Sequence, residues 1–423
     1  MRIGPALSVC ATVYPTSLPL FSADVSELAV GKHSAASFLA ATGLTFTRTT
    51  ASLVETAPGV IDKTPAINDV CVGDLSSNGT KRGVVNQQNV RGLIFHPRNL
   101  NGTGWPAGFL TTVTQPAVAS PDGTTPTNKA DTSSGGYTNF ADTDSVPPPK
   151  CLSAYLRSVN PTGGDQQLVL TPDGATGVIA NGVSSQVWAR FVASNTGAAR
   201  RYACVSDCRD YSGAGGQSAR ARIVYADYFL LVKGGWAPTP IATITGLWPS
   251  GYRDADFARI LDGSVWTNGE TVSFRATLFP MFPSTMTVEY EGQSGAGTSS
   301  KWMLWDAGTG APDTFQAFIH PTTKKLTLII DGVSHASTEA LSWVIGDRFE
   351  IFMLAGNGEA TVAKYRKNGG AWIPLTIASF ADPAIFPAEP AAVFRSVSAD
   401  PDGDVQAFPC HWQSFDWGGP EPI

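Results

Sequence analysis

The sequence predicts an all-β protein made of two antiparallel β-sandwich domains of jelly-roll type, preceded by an extended N-terminal arm. Strand patterns recur along most of the 423 residues, whereas amphipathic helix patterns are almost absent. Turns rich in Gly, Asn, Ser and Asp separate these strands at short intervals. Because 43% of the residues are hydrophobic, each domain has enough apolar side chains to bury a core.

The first 85 residues differ from the rest of the chain. A run of small residues at 34–41 predicts one short helix, and an Asn/Gly/Ser-rich stretch follows at 74–86. Periodicity is weak elsewhere in this region, so few of its side chains are predicted to form a core of their own. We therefore predict that residues 1–85 form an anchoring arm that needs outside contacts, which indicates a partner subunit.

Residues 86–245 are predicted to form the first sandwich. Gly, Asn, Ser and Asp clusters bound its strands, a spacing typical of a jelly roll. The chain then reaches Pro238 and Pro240, which lack backbone donors and end any strand ladder. We place the domain boundary near residue 245. The predicted strands cover residues 152–157, 167–170, 187–192 and 222–232.

Residues 246–423 are predicted to form the second sandwich. Residues 286–291 alternate strictly between apolar and polar side chains, which is the period of a half-buried strand. Strands at 326–330 and 362–367 end in Asp-Gly and Asn-Gly-Gly, and these residues tolerate the positive φ of a tight hairpin turn. Residues 348–354 predict a further strand with the same pattern.

Charge and hydropathy exclude two classes of partner. The net charge is −6 with a pI near 5.4, and no basic block is longer than a pair, so nucleic-acid binding has no electrostatic footprint. No run of about 18 apolar residues is present, so membrane insertion is not predicted. Only 15% of the residues are charged, and such a polar but weakly charged surface is typical of extracellular and virion β-proteins.

The cysteines predict no cofactor. Cys204 and Cys208 are four residues apart, but the five histidines form no paired motif beside them. Buried free thiols, or one Cys204–Cys208 disulfide, are favoured over a zinc site. Reduced thiols are the expectation for a protein that folds in bacterial cytosol. The six cysteines are Cys10, Cys71, Cys151, Cys204, Cys208 and Cys410.

No enzyme is predicted. The sequence lacks a nucleophile elbow, a P-loop and an HExxH motif. Glu289 and Glu291 could in principle support glycoside cleavage, but their alternation places both on the solvent face of a strand.

One acidic turn is a candidate metal site. Asp400, Asp402 and Asp404 place oxygen ligands two residues apart, an arrangement that suits calcium, although a tight acidic turn without metal is the commoner meaning of such a sequence.

Two tryptophans are candidates for glycan binding, because an indole face can cover the apolar face of a sugar ring. Trp105 and Trp248 lie in predicted loops beside Gly and Pro, where binding residues concentrate. Trp188 and Trp343 lie within strand patterns and are predicted to be core residues. Trp412 and Trp417 receive no assignment.

Several short phrases of the sequence follow one another in a characteristic order, beginning with FTRTTA, GV, RGLI and RNL. They lie at residues 46–51, 59–60, 91–94, 98–100, Trp105, 119–129, 152–157, 188–190 and 230–241. This order resembles a carbohydrate-binding-like module of phage tail and head fibre proteins. That module opens with phrases similar to the first four, continues with a Trp and an A-P-D-G-T-T phrase, and ends in a Thr-Pro phrase.

The C-terminal part resembles the laminin-G-like, concanavalin-type sandwich that often follows that module, through residues 251–256 and 286–291. The resemblance spans about residues 45 to 410. It implies a structural protein of a bacteriophage virion, assembled in the bacterial cytoplasm as a tail fibre, head fibre or peripheral decoration. Its expected partners are other virion proteins, further copies of itself and host-surface polysaccharide. The alternative is a secreted or virion-borne protein that binds or degrades polysaccharide.

Overall fold

The computed structural model confirms the all-β class. The described residues form antiparallel β-strands and one short helix. They are residues 21–48, 53–63, 67–74, 82–86, 90–93, 98–101, 105, 112–131, 137–145, 150–159, 166–171, 178–183, 187–195, 200–206, 223–233, 252–253, 257–260, 272–280, 284–285, 301–307, 315–320, 323–330, 333–355, 361–378, 392–393, 396–397, 410–418 and 421–422.

The elements fall into three stretches of the chain. The first stretch contains β1 (Phe21–Asp24), β2 (Gly31–His33), α1 (Ala35–Thr42), β3 (Leu44–Thr47), β4 (Val54–Ala57), β5 (Val60–Asp62), β6 (Val70–Asp74), β7 (Arg82–Asn86) and β8 (Val90–Arg91). The second contains β9 (Thr112–Thr114), β10 (Asn128–Asp131), β11 (Tyr137–Ser145), β12 (Lys150–Ser158), β13 (Gln166–Thr171), β14 (Val178–Val183), β15 (Ala189–Asn195), β16 (Arg200–Ser206) and β17 (Ile223–Lys233).

The third stretch contains β18 (Tyr252–Arg253), β19 (Phe257–Ile260), β20 (Val272–Pro280), β21 (Lys301–Ala307), β22 (Phe315–Ile319), β23 (Leu326–Ile330), β24 (Val333–Ala336), β25 (Phe349–Ala355), β26 (Val362–Lys367), β27 (Ile373–Leu375), β28 (Ala392–Val393), β29 (Ser396–Val397) and β30 (Cys410–Trp417). The predicted strands at 326–330 and 362–367 have the bounds of β23 and β26. The predicted strand at 286–291, with Glu289 and Glu291, lies outside the described residues.

The predicted short helix is α1, and its ends follow from local sequence. Ser34 is the N-cap and accepts a hydrogen bond from the backbone N–H of Ser37 at 3.2 Å. Gly43 takes φ of 70° at the C-cap, where a left-handed residue closes the last turn. With eight residues, α1 is too short to cross a bilayer, and the described residues contain no other helix.

Two sheets enclose the largest core. Sheet I has nine strands in the order β2-β6-β7-β30-β20-β25-β26-β27, with β1 also paired to β30. Sheet II has eight strands in the order β24-β23-β22-β21-β28-β19-β3, with β29 paired to β21. Alternate side chains of both sheets meet in one buried cluster, as expected for a sandwich. The cluster includes Val72, Phe274, Ile351, Phe415, Leu44, Phe46, Ala317 and Leu328.

The N-terminal strands belong to this sandwich. β1 and β7 both pair with β30, and β3 pairs with β19. Phe38 of α1 is fully buried and makes edge-to-face contacts with Phe46 and Trp412 at centroid distances of 6.2 and 6.1 Å. For the described residues between 21 and 86, the same chain therefore supplies the ordering contacts that we expected from a partner subunit.

The middle of the chain forms two further sheets. Sheet III has the order β15-β12-β17-β10-β9, and sheet IV has the order β11-β16-β13-β14. Inward side chains of sheet III, such as Leu152, Leu156 and Leu231, share a core with Val183 of sheet IV. The predicted strands at 152–157 and 167–170 are confirmed as parts of β12 and β13, and residues 223–232 of the predicted strand at 222–232 are confirmed as part of β17.

A hairpin from the N-terminal region covers the outer face of sheet III. Leu53 and Ile61, beside and within the β4–β5 hairpin, pack on Tyr155, Trp188 and Tyr228. This second layer explains why β12 is buried on both faces. Trp188 is confirmed as a core residue, and Trp343 is likewise buried.

Candidate ligand-binding site

Sheet I presents polar side chains on its outer face, opposite the core. Ile351 and Tyr365 point into the core, so the alternating residues Glu350 and Arg366 point outward. Glu350 of β25 is the direct cross-strand neighbour of Arg366 of β26. Side chains in such pairs lie close enough to interact, so the pairing register itself places the two charges in contact.

Glu350 is the centre of an ion cluster. Its carboxylate has no exposed surface and accepts hydrogen bonds from three guanidinium groups on three segments. Arg366 is bidentate, with Nε to Oε2 at 2.7 Å and Nη2 to Oε1 at 2.9 Å. Arg348 Nη1 donates to Oε2 at 2.8 Å, and Arg275 Nη2 donates to Oε1. The cluster therefore ties β20, β25 and β26 together on the outer face.

The arginines keep Glu350 ionised. Burial raises the pKa of its carboxyl group, but the hydrogen bonds from Arg366 and Arg275 and the charge of Arg348 outweigh it, so the net pKa lies below its usual value. The hydrogen bond to Glu350 in turn raises the pKa of Arg366. Three cations around one carboxylate leave the outer face with surplus positive charge, although the whole protein is acidic.

Trp372 lies beside this cluster because of a tight turn. Asn368 and Gly369 adopt φ of 52° and 72° between β26 and β27, which confirms the predicted hairpin turn. The returning chain places the partly exposed indole of Trp372 near two cations of β26. Arg366 Cζ lies 4.6 Å and Lys364 Nζ lies 5.4 Å from the ring centroid, within the range of cation–π attraction.

An open groove of about 590 Å³ lies along these side chains. Lys364 donates to Glu421 Oε1 at 2.8 Å and to the carbonyl oxygen of Pro422 at 2.6 Å. The Nε1 atom of Trp372 is buried and has no hydrogen-bond partner among the described residues. The groove is lined by Lys364, Arg366, Gly370, Ala371, Trp372, Glu421 and Pro422.

This set of side chains suits the binding of a ligand. The indole offers an apolar surface, and the cations that lie over its ring offer fixed donors beside that surface. Within the described part of the chain, the groove contains no nucleophile paired with a base, and no cluster of three or more His, Cys, Asp or Glu is arranged to hold a metal ion. An amphipathic ligand with an apolar ring face and polar edges matches the groove.

A second charged cluster fixes the loop at 119–129. Arg98 donates to Asp122 at 3.0 Å and to Asp227 at 3.0 Å, and it also donates to the hydroxyls of Ser120 and Thr124. Hydrogen bonds from Ser120 and Thr124 and the charge of Arg98 outweigh burial and hold the pKa of Asp122 below its usual range.

The ring of Tyr228 closes this cluster. Arg98 Cζ lies 4.2 Å from the ring centroid, and the Tyr228 hydroxyl donates to Asp122 at 2.9 Å. Burial raises the pKa of Asp227, whose carboxylate also accepts from the backbone N–H of Tyr228 at 2.7 Å. The Nε, Nη1 and Nη2 atoms of Arg98 all donate to side chains within the fold, so we assign this cluster a structural role.

The predicted glycan-binding residue Trp105 is a core residue, which corrects our prediction. It is 4% exposed and packs edge-to-face on Phe229 at a centroid distance of 5.2 Å. Its neighbours Gly and Pro suggested a surface loop, but the indole points into the core beneath sheet III. Trp248 and the predicted calcium ligands Asp400, Asp402 and Asp404 lie outside the described residues.

The cysteines follow the sequence expectation where the structure describes their state. Cys71 and Cys151 are buried thiols that form no disulfide. Cys204 lies in β16, whereas its candidate disulfide partner Cys208 lies outside the described residues.

The sequence interpretation missed the groove at Trp372. The turn at Asn368 and Gly369 was recognised, and it places Trp372 just before the next strand. The local signal was two cations, Lys364 and Arg366, on the same face of β26, together with an aromatic residue just after the turn that follows this strand. The role of Glu350 could not be predicted from such a local pattern, because two of its three partners, Arg275 and Arg366, come from other strands.

Comparisons with known proteins give distant matches only. No protein-family model matches the chain, and no curated protein matches it. Among solved structures, the tandem CBM22-1-CBM22-2 domain of Xyn10C from Paenibacillus barcinonensis is 12% identical, with 78% of this chain and 99% of that chain covered and a TM-score of 0.25. A mutant of the GH43 protein BlXynB from Bacillus licheniformis is 9% identical, with 89% of this chain and 83% of that chain covered and a TM-score of 0.24.

Proposed function

We propose that this chain is a non-enzymatic β-sandwich protein that binds glycans through the groove beside Trp372. The observation that carries the proposal is the groove itself: a partly exposed indole flanked by Lys364 and Arg366 on a rigid sheet. Sugar rings have an apolar face that stacks on indole and hydroxyl edges that accept hydrogen bonds from cations. The Glu350 cluster holds Arg366 in place before any ligand arrives, which reduces the entropy cost of binding.

The proposed setting is a phage virion, where the chain serves as a fibre or peripheral structural protein and contacts host-surface polysaccharide. Support comes from the ordered sequence phrases given above. Two of those phrases, RNL and the Asp-Gly-Thr-Thr loop, meet in space through Arg98 and Asp122. We propose assembly as a homo-oligomer beside other virion proteins, without a cofactor. Light scattering over a range of protein concentrations tests that assembly. A molar mass equal to that of the monomer at every concentration would contradict it.

A glycan array tests the binding proposal directly. Full-length protein should bind a subset of polysaccharides, and Trp372→Ala should weaken that binding about tenfold or more, because the stacking surface is lost. Val344→Ala is the matched control, since Val344 is 64% exposed and lies outside the groove lining. An array without signal, or a Trp372→Ala variant that binds as the parent does, would refute the proposal.

The same samples test the absence of catalysis. Polysaccharides that bind should release no reducing ends on prolonged incubation with the protein. Release that scales with protein concentration would instead support the polysaccharide-degrading alternative.

A further inference from the structure

We propose that the groove beside Trp372 selects acidic saccharides, and that the ligand's carboxylate takes the position beside Lys364 now held by Glu421. This inference rests on the proposed function and specifies its ligand class. The first observation is charge. Two cations, Lys364 and Arg366, line the groove against a single carboxylate, Glu421.

The second observation concerns the charges behind the groove. Glu350 is surrounded by Arg275, Arg348 and Arg366, so its negative charge is more than balanced. On the far side of this cluster Asp416 lies opposite Arg275 in the neighbouring strand. The groove side therefore has the excess of positive charge, on a protein whose net charge is −6. A neutral glycan would leave that excess without a partner.

The third observation is that a carboxylate already occupies the proposed position. Glu421 Oε1 lies 2.8 Å from Lys364 Nζ, while the carbonyl oxygen of Pro422 accepts from the same ammonium group at 2.6 Å. The Glu421 side chain is 47% exposed, whereas that of Lys364 is 13% exposed. Because the Glu421 half of this ion pair is well solvated, its loss costs little stability, so an incoming carboxylate can replace Glu421 at small cost.

The ring geometry explains why the acid should be part of a sugar. Lys364 Nζ lies 5.4 Å from the Trp372 centroid, so one ligand can reach both groups. A uronic acid has a ring face for the indole and a carboxylate on the ring edge for the ammonium group. A simple anion would use only the second contact and should bind more weakly.

The test uses a matched pair of ligands in calorimetric titrations of the full chain. Oligogalacturonide and its fully methyl-esterified form share the same sugar backbone and differ in charge. We expect the acid to bind at least about tenfold more tightly than the ester, the value of one charge-assisted hydrogen bond. Raising the NaCl concentration from about 50 to about 500 mM should weaken the binding of the acid but not that of the ester, because salt screens exposed charges.

Three variants separate the alternatives. Lys364→Gln should lower affinity for the acid about tenfold and leave the ester unchanged. Glu421→Gln should raise affinity for the acid, since it removes the competing carboxylate. Lys63→Gln changes the net charge equally at an exposed position outside the groove lining and should have no effect.

The outcomes distinguish this inference from the proposed function. Equal binding of acid and ester, or a glycan array whose positive signals are all neutral, would overturn the acidic preference and leave glycan binding intact. An unchanged or weaker acid affinity for Glu421→Gln would overturn the exchange of carboxylates. A chain that binds no glycan at all would overturn both.

Discussion

At the residue scale, the most informative side chains are buried charged groups. Arg98 balances two carboxylates, Asp122 and Asp227, whose side chains have almost no exposed surface. Glu350 has the reverse arrangement, with one carboxylate among three arginines. Breaking such clusters is costly because it leaves an uncompensated charge in a poorly solvated place. The first cluster orders a loop within the fold, whereas the second borders an open groove.

Another buried titratable side chain, that of His411, predicts how stability depends on pH. Its Nδ1 atom has no partner among the described residues, and burial lowers its pKa to about 4. The unfolded chain, with an ordinary histidine pKa of about 6.5, therefore binds the proton first as pH falls. The free energy of unfolding should therefore decrease by about 3 kcal/mol as the pH falls from 6.5 to 4.

Urea unfolding at a series of pH values checks this expectation. The control is His411→Gln, which cannot titrate and should lose most of the decrease between pH 6.5 and 4. Equal slopes for the parent and His411→Gln would show that His411 is not the source.

At the element scale, the β4–β5 hairpin joins the N-terminal region to sheet III. Ile61 donates its backbone N–H to the carbonyl oxygen of Pro121 at 2.9 Å, and Trp188 Nε1 donates to Ala119 at 3.1 Å. The hairpin and the loop that Arg98 fixes thus contact each other on the same face. The polar Asp-Gly-Thr-Thr loop, which composition alone identifies as a surface turn, contributes to this packed layer.

Gly59, at the tip of this hairpin, should tolerate no side chain. Its φ is +75°, and an added Cβ would lie 1.9 Å from the carbonyl oxygen of Trp188. We expect Gly59→Ala to lower the free energy of unfolding by about 3 kcal/mol, from left-handed strain and overpacking together.

The matched variant is Gly123→Ala. Gly123 has nearly the same φ, +74°, but nothing lies within 4 Å of its added Cβ. This variant should lower the free energy of unfolding by only about 1 kcal/mol, since it adds backbone strain without a steric clash. Denaturant unfolding of both variants gives the comparison, and equal losses would contradict the proposed close packing of the hairpin on Trp188.

Elements with strong local patterns could be predicted from the sequence. β23 and β26 matched their predicted bounds because alternation and an Asp-Gly or Asn-Gly turn are encoded within a few residues. The packing of Trp105 could not be predicted in that way. Trp105 itself lies outside any strand or helix, as its flanking Gly and Pro predicted, but the packing of its side chain depends on Phe229, which comes from a distant strand.

At the scale of the whole molecule, strands from the first and the last described parts of the chain pair with each other. β30, near the C-terminus, pairs with β1 and β7 from the N-terminal region and with β20. Weak periodicity in the first 85 residues predicted an arm because these strands are short and because β1, β3 and β7 pair with strands from the C-terminal region. Sequence patterns report local pairing well and such long-range pairing poorly, so the fold class was predictable while the connection between the ends was not.

The groove at Trp372 depends on the same long-range assembly. It requires the β26–β27 hairpin, the Glu350 cluster across three strands, and Glu421 from the segment after β30. The proposed function depends on glycan binding at this site. It predicts that a ligand contacts one particular indole among the eleven tryptophans of the chain.

The most direct test is the indole ¹H–¹⁵N resonance of Trp372, assigned by its absence in Trp372→Phe, during titration with a glycan selected on the array. If glycans bind in the groove, this resonance should shift in a saturable way, while that of the buried Trp412 should stay in place. A Trp372 resonance that does not move at saturating glycan, or shifts confined to other tryptophans, would contradict binding at this groove.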